Sequence, residues 1–127
     1  MTDIETILGI MSGEQKYYIK DSPIHGKGAF SLNFYLEDDP VDVVIENRLQ
    51  SNSMKQRLLG LILPWRINDF GSMINHSSDP NCKIELVKND YVLIAITTIF
   101  ADDEFTVDYN QAHRECAWIA PANPAWK

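Results

Sequence analysis

The segment Ile74-Asn75-His76-Ser77-Ser78-Asp79-Pro80-Asn81-Cys82 sets a polar stretch between an apolar flank, Phe70, Met73 and Ile74, and a run of β-forming residues that opens at Cys82. Its composition predicts a loop. Side chains able both to donate and to accept hydrogen bonds, crowded beside apolar neighbours, make a place where a small molecule can be gripped; a plain connection is the other reading. Asn75-His76-Ser77 also spells a glycosylation acceptor, which matters only in a secreted chain.

Working outward, residues 82–87 and 91–99 are apolar, β-branched runs on either side of Lys88, Asn89 and Asp90, the pattern of a hairpin. An acidic turn at Asp102 and Asp103 then leads to a further strand over 105–109 that ends in Tyr109, either a core aromatic with its hydroxyl at the surface or a polar handle in a site. Toward the N-terminus, 47–63 carries Met54, Leu58, Leu59, Leu61 and Ile62 among polar residues and predicts a short helix that Pro64 interrupts. Val41 to Glu46 follows the turn Asp38-Asp39-Pro40 as a β-branched strand, and 16–20 and 29–32 read as extended, with Asp21, Ser22, Pro23, Gly26 and Gly28 between them. Gly26-Lys27-Gly28 is either a tight turn or a place where backbone approaches a ligand; without a third glycine and a following helical pattern it is not a dinucleotide fingerprint. Thr2 and Glu5 have capping-box spacing ahead of Ile4, Ile7, Leu8 and Met11 on one face, which predicts a short helix ending near Gly13 that docks on the core or on a second copy.

A chain of 127 residues with ordinary apolar and charged content supports one core, so 1–127 is read as a single, mainly β domain of several short strands. A net charge of -7 with scattered lysines and arginines repels a phosphate backbone, so no direct nucleic-acid partner is expected. It favours approach of a basic, lysine-rich segment. The first residues lack a positive region ahead of an apolar stretch, and the apolar runs fall short of the roughly 20 residues that span a bilayer. An intracellular, soluble protein without membrane contact is the expectation. Cys82 and Cys116 lack paired spacing, so buried free thiols are expected and no metal site.

In order along the chain, His25-Gly26-Lys27-Gly28-Ala29-Phe30, then Ile74-Asn75-His76-Ser77 with Asp79-Pro80-Asn81-Cys82, then Asp103-Glu104-Phe105-Thr106-Val107-Asp108-Tyr109 resemble the three motifs of the SET domain family. The resemblance covers about 17–110, and its compactness looks most like the minimal SET methyltransferases of viruses. It implies short strands in small sheets with short helices, and a C-terminal pseudo-knot in which the last motif threads beside the central one. It further implies transfer of a methyl group from S-adenosylmethionine to a lysine amine of a protein, a histone tail or another basic substrate, with S-adenosylhomocysteine as product. Nuclear action would follow for a histone target. Gly26, Lys27, Gly28 and Ala29 would contact the cofactor through backbone, Asn75 and His76 its amino and adenine ends, and Tyr109 would be the catalytic residue at the methyl-transfer channel, lined also by Val107 and Ile45. Glu104 is read as a structural carboxylate on the solvent side of its strand.

Many relatives continue into a cysteine-rich zinc segment that completes the lysine channel, whereas only Cys116 follows Tyr109 here. The tail 111–127 then has to close the channel, with Trp118 and Trp126 candidates to cover the adenine or wall the channel; packing on the core is the other reading. Val107 stands where many relatives carry Phe or Tyr, which leaves room for higher methylation. The tyrosine common in the strand near Val44 and Ile45 is missing, which motivates the alternative of an inactive SET domain that binds a peptide or protein. A homodimer through the N-terminal helix or a free sheet edge is also compatible.

Overall fold

The computed structural model describes residues 15–124, so the expected N-terminal helix and Trp126 lie outside the described residues. Strands β1 (Tyr17–Asp21) and β2 (Lys27–Ser31) pair antiparallel, from Tyr17 opposite Ser31 to Asp21 opposite Lys27. The chain continues through β3 (Pro40–Asn47), a 3-10 turn (Arg48–Gln50), α1 (Met54–Gly60), β4 (Trp65–Ile67), α2 (Asp69–Ser72) and β5 (Asn75–His76). It then forms β6 (Cys82–Val87), β7 (Asp90–Ala95), β8 (Thr106–Val107) and α3 (Tyr109–Glu115). Strands β3 to β8 make a second sheet in the order β4-β3-β7-β6-β8-β5. No helix of the described residues is long and apolar enough to cross a membrane.

Local chemistry accounts for most of these boundaries. Lys88 turns the β6–β7 hairpin at φ 60°, and Asp38 and Asp102 close loops at φ 72° and 74°, a region Asp tolerates better than bulkier residues. Ser53, Asn68 and Asp108 cap the three helices, each side chain accepting from a backbone N–H of the first turn. The core gathers on the inner sheet around Phe105, Leu93 and Ile99, all fully buried, with Tyr17 stacked on Phe70 and Phe70 set edge-on against Phe105. Cys82 and Cys116 are buried free thiols, as expected.

Two expected strands are shorter than their sequence pattern. The run over 91–99 pairs only to Ala95, and Ile99 instead makes an isolated bridge to Tyr35. The strand expected over 105–109 shrinks to Thr106–Val107, because Asp108 caps α3 and Tyr109 is the first residue of that helix. Strand β8 runs parallel to β5, Asn75 beside Thr106 and His76 beside Val107, and meets β6 at Cys82 on its other edge. The loop 77–81 joins β5 to β6 and therefore passes around the strand between them, the threaded arrangement the resemblance implied. Hydrogen bonds hold it there: Ser77 N–H donates to the Val107 carbonyl (2.9 Å), Asn81 Nδ2 to the Glu104 carbonyl (2.8 Å), and Thr106 N–H to Asn81 Oδ1 (2.9 Å).

Candidate active site

The three motifs converge on Asn75. Its buried Nδ2 lies within hydrogen-bond reach of the carbonyls of His25 (3.0 Å) and Lys27 (3.1 Å) and of Glu104 Oε2 (2.9 Å). One amide thus joins the glycine loop to the last motif, and its burial in that role excludes the glycosylation reading. The neighbouring His76, also buried, accepts the Tyr109 N–H at Nδ1 (3.0 Å). An accepting nitrogen carries no proton, so the neutral ring has its hydrogen on Nε2. Asp108 Oδ1, 3.9 Å from Nδ1, is beyond hydrogen-bond distance and caps α3 instead. Together these bonds fix where Tyr109 leaves the sheet.

The two glycines serve different ends. Gly26 has φ +46°, and a Cβ there would point into open space. Gly28 is buried, and a Cβ on it would collide with the Glu104 carboxylate and press on the Asn75 amide. The space that Gly28 leaves is thus filled by protein; the stretch His25 to Lys27 is exposed, with its carbonyls turned to Asn75 and to the Ser22 N–H. Ala29 is fully buried, its carbonyl accepting the Phe105 N–H (2.9 Å). Lys27 pairs with Asp21 at the surface, where solvent leaves an ion pair little weight. The solvent-side placement expected for Glu104 is corrected: the side chain is half-buried and both its oxygens accept from Ser22 Oγ at 2.9 Å.

An apolar cavity of about 130 Å³ is bordered by Ile45, Ile74, Val107, Tyr109, Ala112 and Ile119. The Tyr109 hydroxyl donates to the Ile74 carbonyl (2.7 Å), and burial pushes its pKa above the ordinary 10. The three residues expected along a channel, Ile45, Val107 and Tyr109, therefore share one cavity. From the tail it is Ala112 and Ile119 that line this space, while Trp118 is 53% exposed. Ile119 is held by its N–H on the Cys116 carbonyl (2.9 Å) and by His113 Nδ1, which donates to the Ile119 carbonyl (2.6 Å). Nothing in the sequence singles out Ile119 beside two conspicuous tryptophans. A larger, polar cavity of about 330 Å³ opens among Asp42, Asn47, Arg48, Arg66 and Asp90, away from all three motifs.

A family description of the SET domain matches residues 5–110. The chain belongs to the SET domain family. A curated Plasmodium falciparum (isolate 3D7) protein named "Putative histone-lysine N-methyltransferase 1" is 28% identical over 121 residues, covering 78% of this chain. The chain spans only 2% of that relative's length. Among solved structures, a Plasmodium falciparum protein whose name describes it as a "putative histone methyltransferase" superposes with TM-score 0.53 at 22% identity over 74% of this chain and 92% of that one. A humanized mutant of the Chaetomium thermophilum Polycomb Repressive Complex 2 superposes with TM-score 0.53 at 16% identity, over 77% of this chain and 15% of that one. At such identities the superpositions speak for the SET fold.

Proposed function

We propose that this SET domain transfers a methyl group from S-adenosylmethionine to the side-chain amine of a lysine in a basic protein substrate, a histone tail being one such target. The observation that carries the reading is the apolar cavity lined by Ile45, Ile74, Val107 and Tyr109, whose hydroxyl donates to the Ile74 carbonyl one residue from the Asn75 junction. The site fits the cofactor where a fit can be tested. The space a Cβ on Gly26 would enter is open, and an adjoining junction of motif residues is rich in polar groups. Gly26 and Lys27 would hold its methionine end, with Asn75 and His76 next to them, while the buried Gly28 and Ala29 shape the loop from beneath. Trp118, exposed on the tail, would fold over the adenine. Compactness alone motivates the likeness to virus-encoded members, and nothing in the proposal depends on it.

When bound, S-adenosylmethionine supplies an electrophilic methyl and a positive charge. The protein's own share is to present a neutral amine in line with that methyl. A lysine ammonium has no free lone pair, and at pH 7 deprotonating it costs about 4.6 kcal/mol from a reference pKa of about 10.4. Ile45, Val107 and Ile119 surround the side chain with hydrocarbon and disfavour its charged form. The Tyr109 hydroxyl already donates to Ile74, which turns its lone pairs toward the amine, and the displaced proton leaves to water. Because burial keeps Tyr109 protonated beyond pH 10, the rate should rise with pH as the amine loses its proton, without a fall from this phenol.

The first test is thermal unfolding with and without S-adenosylmethionine, on the wild type and Asn75→Ala. At a hundredfold excess over the dissociation constant the wild type should gain about 2.7 kcal/mol, and the variant should not. The missing strand tyrosine, whose region is occupied by Val44 and Ile45, favours a second reading, an inactive peptide-binding domain. Cofactor binding without methylation of any lysine peptide would select that reading, and absence of any shift would overturn the first.

A further inference from the structure

Glu104 has more partners than a surface carboxylate needs. Ser22 Oγ donates to both of its oxygens at 2.9 Å, and the same Ser22 oxygen accepts the N–H groups of Ile24 (3.0 Å) and His25 (3.4 Å). With its lone pairs turned to those amides, the Ser22 hydroxyl must spend its hydrogen on Glu104. From the opposite side Asn75 Nδ2 donates to Glu104 Oε2 (2.9 Å) while reaching the His25 and Lys27 carbonyls. The carboxylate therefore grips the loop 22–28 at both ends, through Ser22 at its start and through Asn75 near its close. Beneath it Gly28 lacks the Cβ that would collide with this arrangement. The anchor is itself fixed, because Phe30 bridges to Glu104 between strands and Asn81 holds the Glu104 carbonyl (2.8 Å).

We infer that Glu104 is a positioning residue: its carboxylate sets the conformation of the exposed Gly26 loop and thereby the affinity of the site for an amino-acid moiety of its ligand. The ligand half of this statement rests on the function proposed above; the loop half does not. The uncharged isostere Glu104→Gln keeps one accepting oxygen; with it facing Asn75, the N–H₂ meets Ser22 Oγ, whose lone pairs already accept the Ile24 and His25 N–H groups, so the Ser22 end of the loop should be released without removing side-chain volume.

Two measurements on the full chain separate the halves. In hydrogen exchange, the Ile24 and His25 amides of Glu104→Gln should exchange at least about tenfold faster than in the wild type, with β6 and β7 unchanged. In calorimetric titration, Glu104→Gln should bind S-adenosylhomocysteine about tenfold more weakly, yet bind 5′-methylthioadenosine, which lacks the amino-acid part, within about twofold of the wild type. Ser22→Ala should reproduce both effects in part, which guards against a misfolded first variant. Unchanged exchange over 24–25 in a folded variant would overturn the inference, as would an equal loss of both ligands. If the loop loosens as expected while wild type binds neither ligand, the loop assignment stands and the proposed methyltransferase function fails.

Discussion

At the scale of single residues, the site depends on what each side chain must donate or accept. Tyr109→Phe removes the hydroxyl that meets Ile74 and should lower kcat by about a hundredfold or more through lost alignment. One neutral hydrogen bond contributes only about 1 kcal/mol, so its Tm should fall by no more than several degrees, read side by side in a peptide assay and a melt. Gly28→Ala should weaken S-adenosylhomocysteine binding because its Cβ displaces the Glu104 carboxylate, and should add little in a Glu104→Ala background; a titration cycle over the four proteins measures that non-additivity. Asp42 shows the opposite economy of charge. Burial raises its pKa above 3.8 against the opposing pull of the Val43 N–H, so the native state holds this proton more tightly than the unfolded chain does. Its contribution to stability is thus full at low pH and lost as pH rises through the folded-state pKa. Asp42→Asn keeps the accepting oxygen and should raise Tm at pH 7 while changing it little at pH 3, as melts at the two pH values would read.

At the scale of elements, what the sequence declares is what local patterning controls. The β6–β7 hairpin is legible because β-branched runs flank residues that tolerate a tight turn, and β3 because Asp38-Asp39-Pro40 marks its start. Helix α3 is not, since Ala112 is its single buried residue and leaves no apolar period to detect. The solvent-side reading of Glu104 failed for a related reason. Alternation along 105–107 is absent because Phe105 and both residues of β8 are buried, so the period-two rule assigns no face to the neighbouring Glu104. Ile45, Val107 and Tyr109, expected along a channel, line one cavity from elements far apart in the chain, which no local pattern encodes; the resemblance to the family supplied them. The loop 77–81 is the element most exposed to a single change. Asn81→Ala strips partners from the Glu104 carbonyl and the Thr106 N–H and should cost about 2–4 kcal/mol in urea unfolding. Asn81→Asp, which keeps the acceptor for Thr106, should cost less.

At the scale of the whole molecule, the acidic balance of -7 and the apolar cavity divide the work between approach and reaction. Under the proposed function, long-range attraction would bring a basic segment to the surface, and the cavity would then take up an amine that it disfavours as a cation. Raising ionic strength from about 0.1 to about 1 M shortens the screening length from ~10 to ~3 Å, so KM for a basic peptide should rise severalfold with little change in kcat. A KM indifferent to salt would place recognition in short-range contacts alone. The threaded strand bears on how the molecule comes into being. Strand β8 fills the slot between β5 and β6, and Tyr109 and Ile119 follow it in the chain. While the ribosome is still adding residues near 100, the glycine loop and the central segment have already been made, yet Asn75 lacks its Glu104 partner and the cavity lacks Val107, Tyr109, Ala112 and Ile119. Under the proposed function, an emerging polypeptide of this kind would stay chemically silent until the stretch from Glu104 to Ile119 has slipped into place, so competence would arrive in one late event rather than by degrees.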